Sequence, residues 1–167
     1  GGMTEEEISR RMADIGASLS GSFDQDRAGL RLRTLSSARE RDQALEIMAK
    51  ALLSPDFPEA ALAREKTRSI AGLKEAMTQP EFIAGRAFNS MIYGSHPYAL
   101  SSMVEPESIA ALRREDLVGF YRAHYRADHA VIALIGDVTT AQAKEIAARL
   151  TSSLPRAEGE PQPLPAV

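Results

Sequence analysis

One continuous apolar run limits the folds that are open to this chain. Residues 130–135 read AVIALI, and Gly136 and Asp137 end the run. A short apolar run closed by turn residues predicts a strand that is buried on both faces or lies at the centre of a sheet. The chain therefore needs a sheet in which this segment can pair.

A hairpin is predicted earlier in the chain. In residues 28–34, Leu30 and Leu32 alternate with Arg31 and Arg33. This alternation is the period of a half-buried strand. Residues 17–23 predict a weaker partner strand, because they contain Gly21 and three serines. Residues 24–26 between the two segments suit a hairpin connection.

Helices are predicted for most of the remaining chain. Thr4 stands before three glutamates, a pattern that predicts an N-cap followed by first-turn acids that favour the helix dipole. Gly16 predicts the end of that helix. Periodic apolar positions predict further helices at residues 38–53, 59–78, 81–93, 106–109, 113–124 and 139–150.

Composition sets the class of the protein and excludes several functions. A chain of 167 residues is sized for one domain with a hydrophobic core. The net charge of −3 gives no electrostatic case for nucleic acid, and no run reaches the ~20 apolar residues that span a bilayer. The absence of cysteine excludes disulfides, thiolate nucleophiles and cysteine-ligated zinc.

The two ends of the chain differ from its body. The chain opens with Gly1, Gly2 and Met3, so we expect it to be a piece of a longer polypeptide. Residues 155–167 are polar and rich in proline, which predicts an extended linker toward a following domain. Residues 1–154 are therefore predicted to form the domain itself.

Side chains capable of catalysis or metal binding are few and scattered. His124 and His129 are five residues apart, and Asp128 is the close candidate for a third metal ligand. The alternative is that these are exposed polar positions beside a strand. His96 lies in a Gly-Ser-His-Pro loop, where local packing competes with a catalytic role.

Sequence motifs of known catalytic sites are missing from the chain. It contains no HisXXXHis, HisXXGluHis, GxSxG, P-loop or GxGxxG pattern. The acidic residues mostly stand where helices start. Five arginines on the second strand and the following turn have two interpretations, a basic face or an exposed strand edge balanced by nearby acids. They are Arg27, Arg31, Arg33, Arg39 and Arg41.

Gly72 is the least expected residue of the long helix predicted after Pro58. Glycine in a helix interior costs about 1 kcal/mol relative to alanine. One interpretation is that a neighbouring helix or strand packs closely on this position.

Several segments in order and spacing resemble one protein family. They are ADIGASL (13–19), LRLRTL (30–35), SPDFP (54–58), REK (64–66), YGSHPY (93–98), LVGFYRAHYR (117–126) and IGDV (135–138). Together they resemble the amino-terminal homologous half of the M16 metallopeptidases, the pitrilysin-like and insulinase-like enzymes and processing-peptidase subunits. The resemblance extends from about Met3 to Leu154.

This resemblance implies a zinc site that the chain does not carry. In active M16 members, a HisXXGluHis helix binds zinc and activates water, and a glutamate of a later helix is the third ligand. The family would place the HisXXGluHis helix at or just before Gly1. Aligning Glu65 and Lys66 with the family's Glu-Lys puts Gly72 at the third ligand's position. Glu75 would substitute only if the alignment shifted by three residues.

The resemblance also implies a fold and a role. The implied fold is α+β, a two-layer half-domain with an antiparallel-rich sheet and helices on one face. The sheet would combine the hairpin with residues 130–135, while other strands lie upstream. The implied role is a non-catalytic, zinc-less M16 domain of a bacterial zinc protease, with no catalytic residue, metal or cofactor in this fragment.

Partners and compartment follow from the same resemblance. The domain is expected to pair with a homologous zinc-bearing subunit or domain and to help enclose peptide substrates, as a homo- or hetero-oligomer. A structural subunit of the respiratory core-protein type is one alternative. A fragment of an active zinc peptidase whose metal-binding helix has been removed is another. The family resemblance is compatible with the bacterial periplasm, and the sequence itself does not define the cellular compartment.

Overall fold

The structure, a computed structural model, describes residues 2–155. In it the chain is mostly helical, with a two-stranded antiparallel sheet, so the predicted α+β class is confirmed. Its described residues form two compact units, residues 2–56 with 122–155 (unit one) and residues 57–121 (unit two). The predicted linker lies outside the described residues apart from Pro155.

The elements follow one another along the chain with short connections. They are α1 (Glu5–Asp14), β1 (Ser18–Phe23), β2 (Ala28–Arg33), α2 (Ala38–Leu53), α3 (Glu59–Ala76), α4 (Pro80–Tyr93), α5 (Pro106–Ala111), α6 (Arg114–His124) and α7 (Thr140–Thr151). Two 3-10 helices cover Pro97–Met103 and Ala127–His129. Within residues 2–155, no helix is both long and apolar enough to cross a membrane.

Helix α1 begins and ends where the sequence predicts. The Thr4 hydroxyl accepts the backbone N–H of Glu7 at 3.2 Å, which satisfies one of the unpaired donors of the first turn. Gly16 has a φ of +63°, a conformation that glycine adopts without steric cost, and the chain reverses there into β1.

The hairpin is closed by a turn that Asp24 organises. β1 and β2 pair antiparallel from Ser18 opposite Arg33 to Phe23 opposite Ala28. One carboxylate oxygen of Asp24 accepts the backbone N–H groups of Asp26 at 2.9 Å and Arg27 at 2.8 Å. These two bonds, with a smaller contribution from the Arg27 side chain, lower the pKa of Asp24 below its usual value of 3.8.

Unit one is held by two apolar clusters that share helix α2. Ala44 and Ile47 pack with Met12 of α1 in the first cluster. Leu45 packs with Ile146 and Leu150 of α7 in the second. Helix α7 is fixed at its start by a capping box, in which Thr139 and Gln142 exchange side-chain bonds with each other's backbone.

The prediction that residues 130–135 join the sheet is wrong in this structure. Within the described chain, β1 and β2 pair only with each other, and residues 130–135 form neither a strand nor a helix. Val131 is 94% exposed and Ile135 is 100% exposed, while Ile132 packs against the second cluster. An apolar sequence favours burial, but a strand also needs a neighbour that accepts its hydrogen bonds.

Unit two consists of helices joined by side-chain bonds to backbone carbonyls. Lys66 of α3 donates to the carbonyl oxygen of Leu112 at 2.7 Å. Arg86 of α4 donates to the carbonyl oxygen of Val104 at 2.9 Å and pairs with Glu105. Part of the segment expected to be a loop after α4 is a 3-10 helix, which begins at Pro97 after His96 as its N-cap.

Phe57 lies at the start of unit two in a rare backbone conformation. Its φ is +45°, in the left-handed region that residues other than glycine seldom occupy. Arg114 Nε donates to its carbonyl oxygen at 3.1 Å. Its ring contacts that of Tyr121 edge-on, with the ring centroids 6.0 Å apart. These contacts hold the first and last residues of unit two together.

Gly72 lies in the interior of α3, and the interpretation of close packing there is wrong in this structure. Apart from the backbone of its own helix and its two chain neighbours, a Cβ added at Gly72 would meet no atom within 4 Å, and the residue is exposed. No close approach of a neighbouring element therefore accounts for the glycine. Within the described residues, no packing contact compensates for the helix stability that glycine loses relative to alanine.

Replacing Gly72 with alanine should therefore stabilise unit two. Gly72→Ala is expected to raise the free energy of unfolding by about 1 kcal/mol, because alanine is the better helix former and the space is open. Urea denaturation would measure the change. Gly94→Ala is the matched control: Gly94 has a φ of +53°, so alanine there should lower stability. A loss of stability in Gly72→Ala would show that the position is not open.

The Asp24 turn should give the hairpin a dependence on pH. Because the folded pKa of Asp24 is lowered, its stabilising contribution is present above the unfolded pKa and is lost as pH falls through the folded pKa. An NMR titration of the Asp24 carboxyl carbon should place its midpoint below 3.8. Arg27→Gln should keep most of the shift, since the backbone donors remain. A midpoint at or above the usual value would contradict the turn geometry.

Candidate functional site

The position where the resemblance places a zinc ligand lies on helix α3. Good helix formers and Glu59 in the first turn favour this helix, and Pro80 starts the next one. Glu65 and Gly72 are seven residues apart, so they lie about 20° from each other on the helix and about 10 Å apart along its axis. The two positions therefore share one face of α3, and both are exposed.

Glu75 lies on a neighbouring part of the same surface. It follows Gly72 by three residues, which places it about 60° away around the helix and about 4.5 Å along the axis. Glu65 and Glu75 are about 15 Å apart along the axis, too far to hold one ion together. Within residues 2–155, no three His, Asp or Glu side chains gather as a metal site would require.

A shallow cavity lies beside the Lys66 side of α3. Its volume is about 300 Å³, and its lining comes from α3 and the chain around the start of α6: Glu59, Leu62, Ala63, Lys66, Leu112, Arg113, Arg114 and Glu115. The cationic residues of this lining take part in hydrogen bonds. Lys66 and Arg114 donate to carbonyl oxygens, and the Arg113 backbone N–H donates to Asp116 at 2.8 Å.

The hydrogen bonds around this cavity join α3 to the chain at the start of α6. The bond from Arg113 is the largest cause that lowers the pKa of Asp116. No histidine, serine or threonine lines the cavity, and its carboxylates are those of Glu59 and Glu115. The sequence did not single out this cavity, since the contact between Lys66 and Leu112 joins residues far apart in the chain.

His96 is placed for local structure. Its Nδ1 accepts the backbone N–H of Tyr98 at 3.2 Å and so caps the 3-10 helix. Its ring packs edge-on against Tyr98, with the centroids 4.8 Å apart, and Tyr93 packs edge-on against Tyr98 at 5.6 Å. This geometry supports the packing interpretation of His96.

His124, Asp128 and His129 do not assemble into a metal site. Asp128 pairs with Arg126 at 2.9 Å and lies 3.6 Å from the Nε2 atom of His129. An arginine that occupies the carboxylate competes with a metal for it. His124 is the last residue of α6 and is exposed.

Four of the five arginines of the possible basic face are exposed in unit one, and Arg41 is half-buried. Arg27 pairs with Asp24 at 3.1 Å, and Arg41 pairs with Asp42 at 2.9 Å. Arg31 and Arg33 are exposed residues of β2. Acidic neighbours balance part of this charge, as the plain interpretation of a strand edge expects.

Three comparisons with known proteins point to one family. The sequence profile of the "Peptidase M16 inactive domain" matches residues 111–167. The crystal structure of a peptidase M16 inactive domain from Pseudomonas fluorescens has a TM-score of 0.88 and 32% identity, over 97% of this chain and 40% of that one.

Two curated proteins are also similar. A probable mitochondrial-processing peptidase subunit beta of Arabidopsis thaliana is 25% identical over 90% of this chain and 27% of its own length. The non-peptidase homologue YmxG of Helicobacter pylori is 24% identical over 78% of this chain and 30% of its own length. The chain thus spans less than a third of these two curated relatives.

The comparisons agree with the resemblance that the sequence motifs carry. The profile match covers the last third of the chain, and the structural match covers nearly all of it. A match to an inactive domain also fits the expectation that this fragment carries no cofactor. The chain is similar in sequence to the M16 inactive domain and to a processing-peptidase subunit, and similar in fold to a solved M16 inactive domain.

Proposed function

We propose that this chain is a non-catalytic M16 domain that pairs with a homologous zinc-bearing subunit or domain and helps to enclose peptide substrates. The observation that carries the proposal is Gly72. It stands on an exposed face of α3 at the position where the resemblance expects a zinc-binding glutamate. Glycine has no side chain and cannot coordinate a metal.

The named relatives support a role beside an enzyme. One is described as a subunit of a processing peptidase, and another as a non-peptidase homologue. Because this chain spans only part of their length, the activity of the whole protein is itself part of the proposal. Bacterial origin and a place in the envelope belong to it in the same way.

A structural role is the second candidate. The similarity to a protein described as a non-peptidase homologue favours it. In that role the domain would join an assembly without affecting peptide hydrolysis. The two candidates therefore differ in one measurable quantity, the effect of the domain on the activity of a zinc-bearing partner.

Zinc binding tests the first part of the proposal. A calorimetric titration of Zn²⁺ into the chain should show no saturable one-to-one binding, because neither the HisXXGluHis motif nor the later glutamate is present. Gly72→Glu is the matched control and should also fail to bind zinc tightly, since one carboxylate cannot replace two histidines. Tight stoichiometric binding, or peptide cleavage that a chelator abolishes, would contradict the proposal.

Reconstitution with a homologue tests the second part. The chain would be co-expressed with a HisXXGluHis-bearing M16 homologue from the same cell. We expect one complex in size-exclusion chromatography and hydrolysis of an extended peptide at least about tenfold faster than with the homologue alone, since binding that orients the substrate lowers the barrier. A complex without this gain would favour the structural role, and the absence of a complex would overturn both.

The third possibility is an active peptidase that lacks its metal-binding helix. Gly72 speaks against it, because the later ligand would be absent even with the helix restored. The test is to add the residues that precede Gly1 in the parent protein and repeat the zinc titration. Tight binding there would favour an active enzyme.

A further inference from the structure

The hairpin of unit one has two chemically different faces. Residues that lie directly opposite each other in an antiparallel pair have their side chains on the same face. Leu19 lies opposite Leu32, and both pack against the first apolar cluster. The other face, which we call the serine–arginine face, consists of Ser18, Ser20, Ser22, Gly29, Arg31 and Arg33. Its serines and arginines are all exposed.

The division into two faces follows from the pairing of β1 with β2. Side chains alternate between the faces of a strand, and the register of this pair fixes which residues share a face. A further strand at either edge would lie in the plane of the sheet and would leave every side chain on its present face. The serine–arginine face is therefore a property of the hairpin itself.

The charge on this face is of one sign. It comes from Arg31 and Arg33, and no residue of the face is acidic. Among residues 2–155, neither of these two guanidinium groups forms an ion pair or a hydrogen bond, whereas Arg27 and Arg41 pair with neighbouring aspartates. A ligand that binds Arg31 and Arg33 therefore does not have to displace a carboxylate of the chain.

The spacing of the two arginines matches that of an extended peptide. Arg31 and Arg33 are two residues apart on one strand, so their Cα atoms are about 7 Å apart. Alternate side chains of an extended peptide have the same repeat and lie on one face. A guanidinium binds a carboxylate through two parallel hydrogen bonds. The hydroxyls of Ser18 and Ser20, on the opposite strand, add donors for the remaining oxygens.

We propose that the serine–arginine face binds extended peptides that carry acidic side chains at alternate positions. The inference rests on the proposed function, because it names the substrate class of a domain that helps to enclose peptides. The chain as a whole has a net charge of −3, so its overall charge does not attract an acidic ligand. The attraction comes from the local complementarity of the two arginines with carboxylates.

Binding of defined peptides to the chain tests the substrate class. The probe is an acetylated and amidated peptide of about ten residues in which glutamate alternates with alanine. In an NMR titration it should shift the amide signals of residues 18–22 and 29–33, and added salt should weaken its binding. The same peptide with glutamine for glutamate should bind at least about tenfold more weakly, because the charge is lost. A peptide with its glutamates in one block should bind at least about threefold more weakly, because the repeat is lost.

Variants of the chain test the two arginines. Arg31→Thr with Arg33→Thr keeps a good strand former at both positions and should raise the dissociation constant about tenfold. Arg31→Lys with Arg33→Lys keeps the charge without the planar fork and should have an intermediate effect. Arg10→Gln with Arg68→Gln is the matched control, which removes two exposed arginines elsewhere and should change the constant by less than about twofold. Circular dichroism of each variant checks the fold.

Several results would overturn the inference. Equal binding of the glutamate and glutamine peptides, or an equal loss in the control variant, would show that these arginines do not select acidic peptides. Equal binding of the blocked and alternating peptides would contradict the spacing. Binding of a thymidine oligonucleotide or of phosphatidylglycerol vesicles through Arg31 and Arg33, in place of the glutamate peptide, would assign the face to another partner.

Reconstitution with the zinc-bearing homologue separates this inference from the proposed function. We expect the pair to hydrolyse the glutamate peptide faster than the glutamine peptide, and Arg31→Thr with Arg33→Thr should remove that preference. A pair that accelerates the hydrolysis of both peptides equally would contradict the acidic substrate class and leave the proposed function intact. A pair that accelerates neither, while the chain alone still binds the glutamate peptide, would contradict the proposed function.

Discussion

The burial of one face of α2 is the interaction on which unit one depends. Ile47 is 2% exposed and Ala44 is completely buried, and both lie against α1. Leu45 faces α7 in the second cluster. A fully buried aliphatic side chain contributes about 1.5–3 kcal/mol. A single helix thus connects the amino-terminal elements of the unit with those that return after residue 121.

Local signals in the sequence were enough to predict the helices and the hairpin. Thr4, Gly16, Thr139 and Pro80 act within one helical turn, so their effect can be read without knowing the rest of the fold. The alternation of Leu30 and Leu32 with arginines is equally local. These features account for the confirmed α+β class.

Residues 130–135 could not be predicted in the same way. Their apolar character reports a preference for burial, but pairing depends on which backbone lies alongside, and that is a property of distant sequence. The surroundings of Gly72 could not be predicted either, because a glycine in a helical sequence does not indicate whether another element packs against it. The position on α3 is open in the folded chain, which no local pattern of the sequence indicates.

The candidate site was located from the sequence through the spacing of Glu65, Lys66 and Gly72 on one helix. Its surroundings were not, because they depend on contacts between distant residues. Lys66 meets the carbonyl of Leu112, and Arg114 meets that of Phe57. From the sequence, the charges of these two side chains predict only that they lie in solvent at the surface. The site is therefore better defined by an absent ligand than by an assembled set of catalytic groups.

The contact of Phe57 with Tyr121 has a consequence for how such a chain can vary. Within the described residues, unit two is a continuous stretch, and the rings of its first and last residues are in contact. A stretch of this kind can be lengthened, shortened or exchanged with little change in the distance that the flanking chain must bridge. No residue of the two clusters around α2 belongs to unit two, so an exchange of this stretch, with the α3 helix that carries Gly72, leaves the residues of both clusters unchanged.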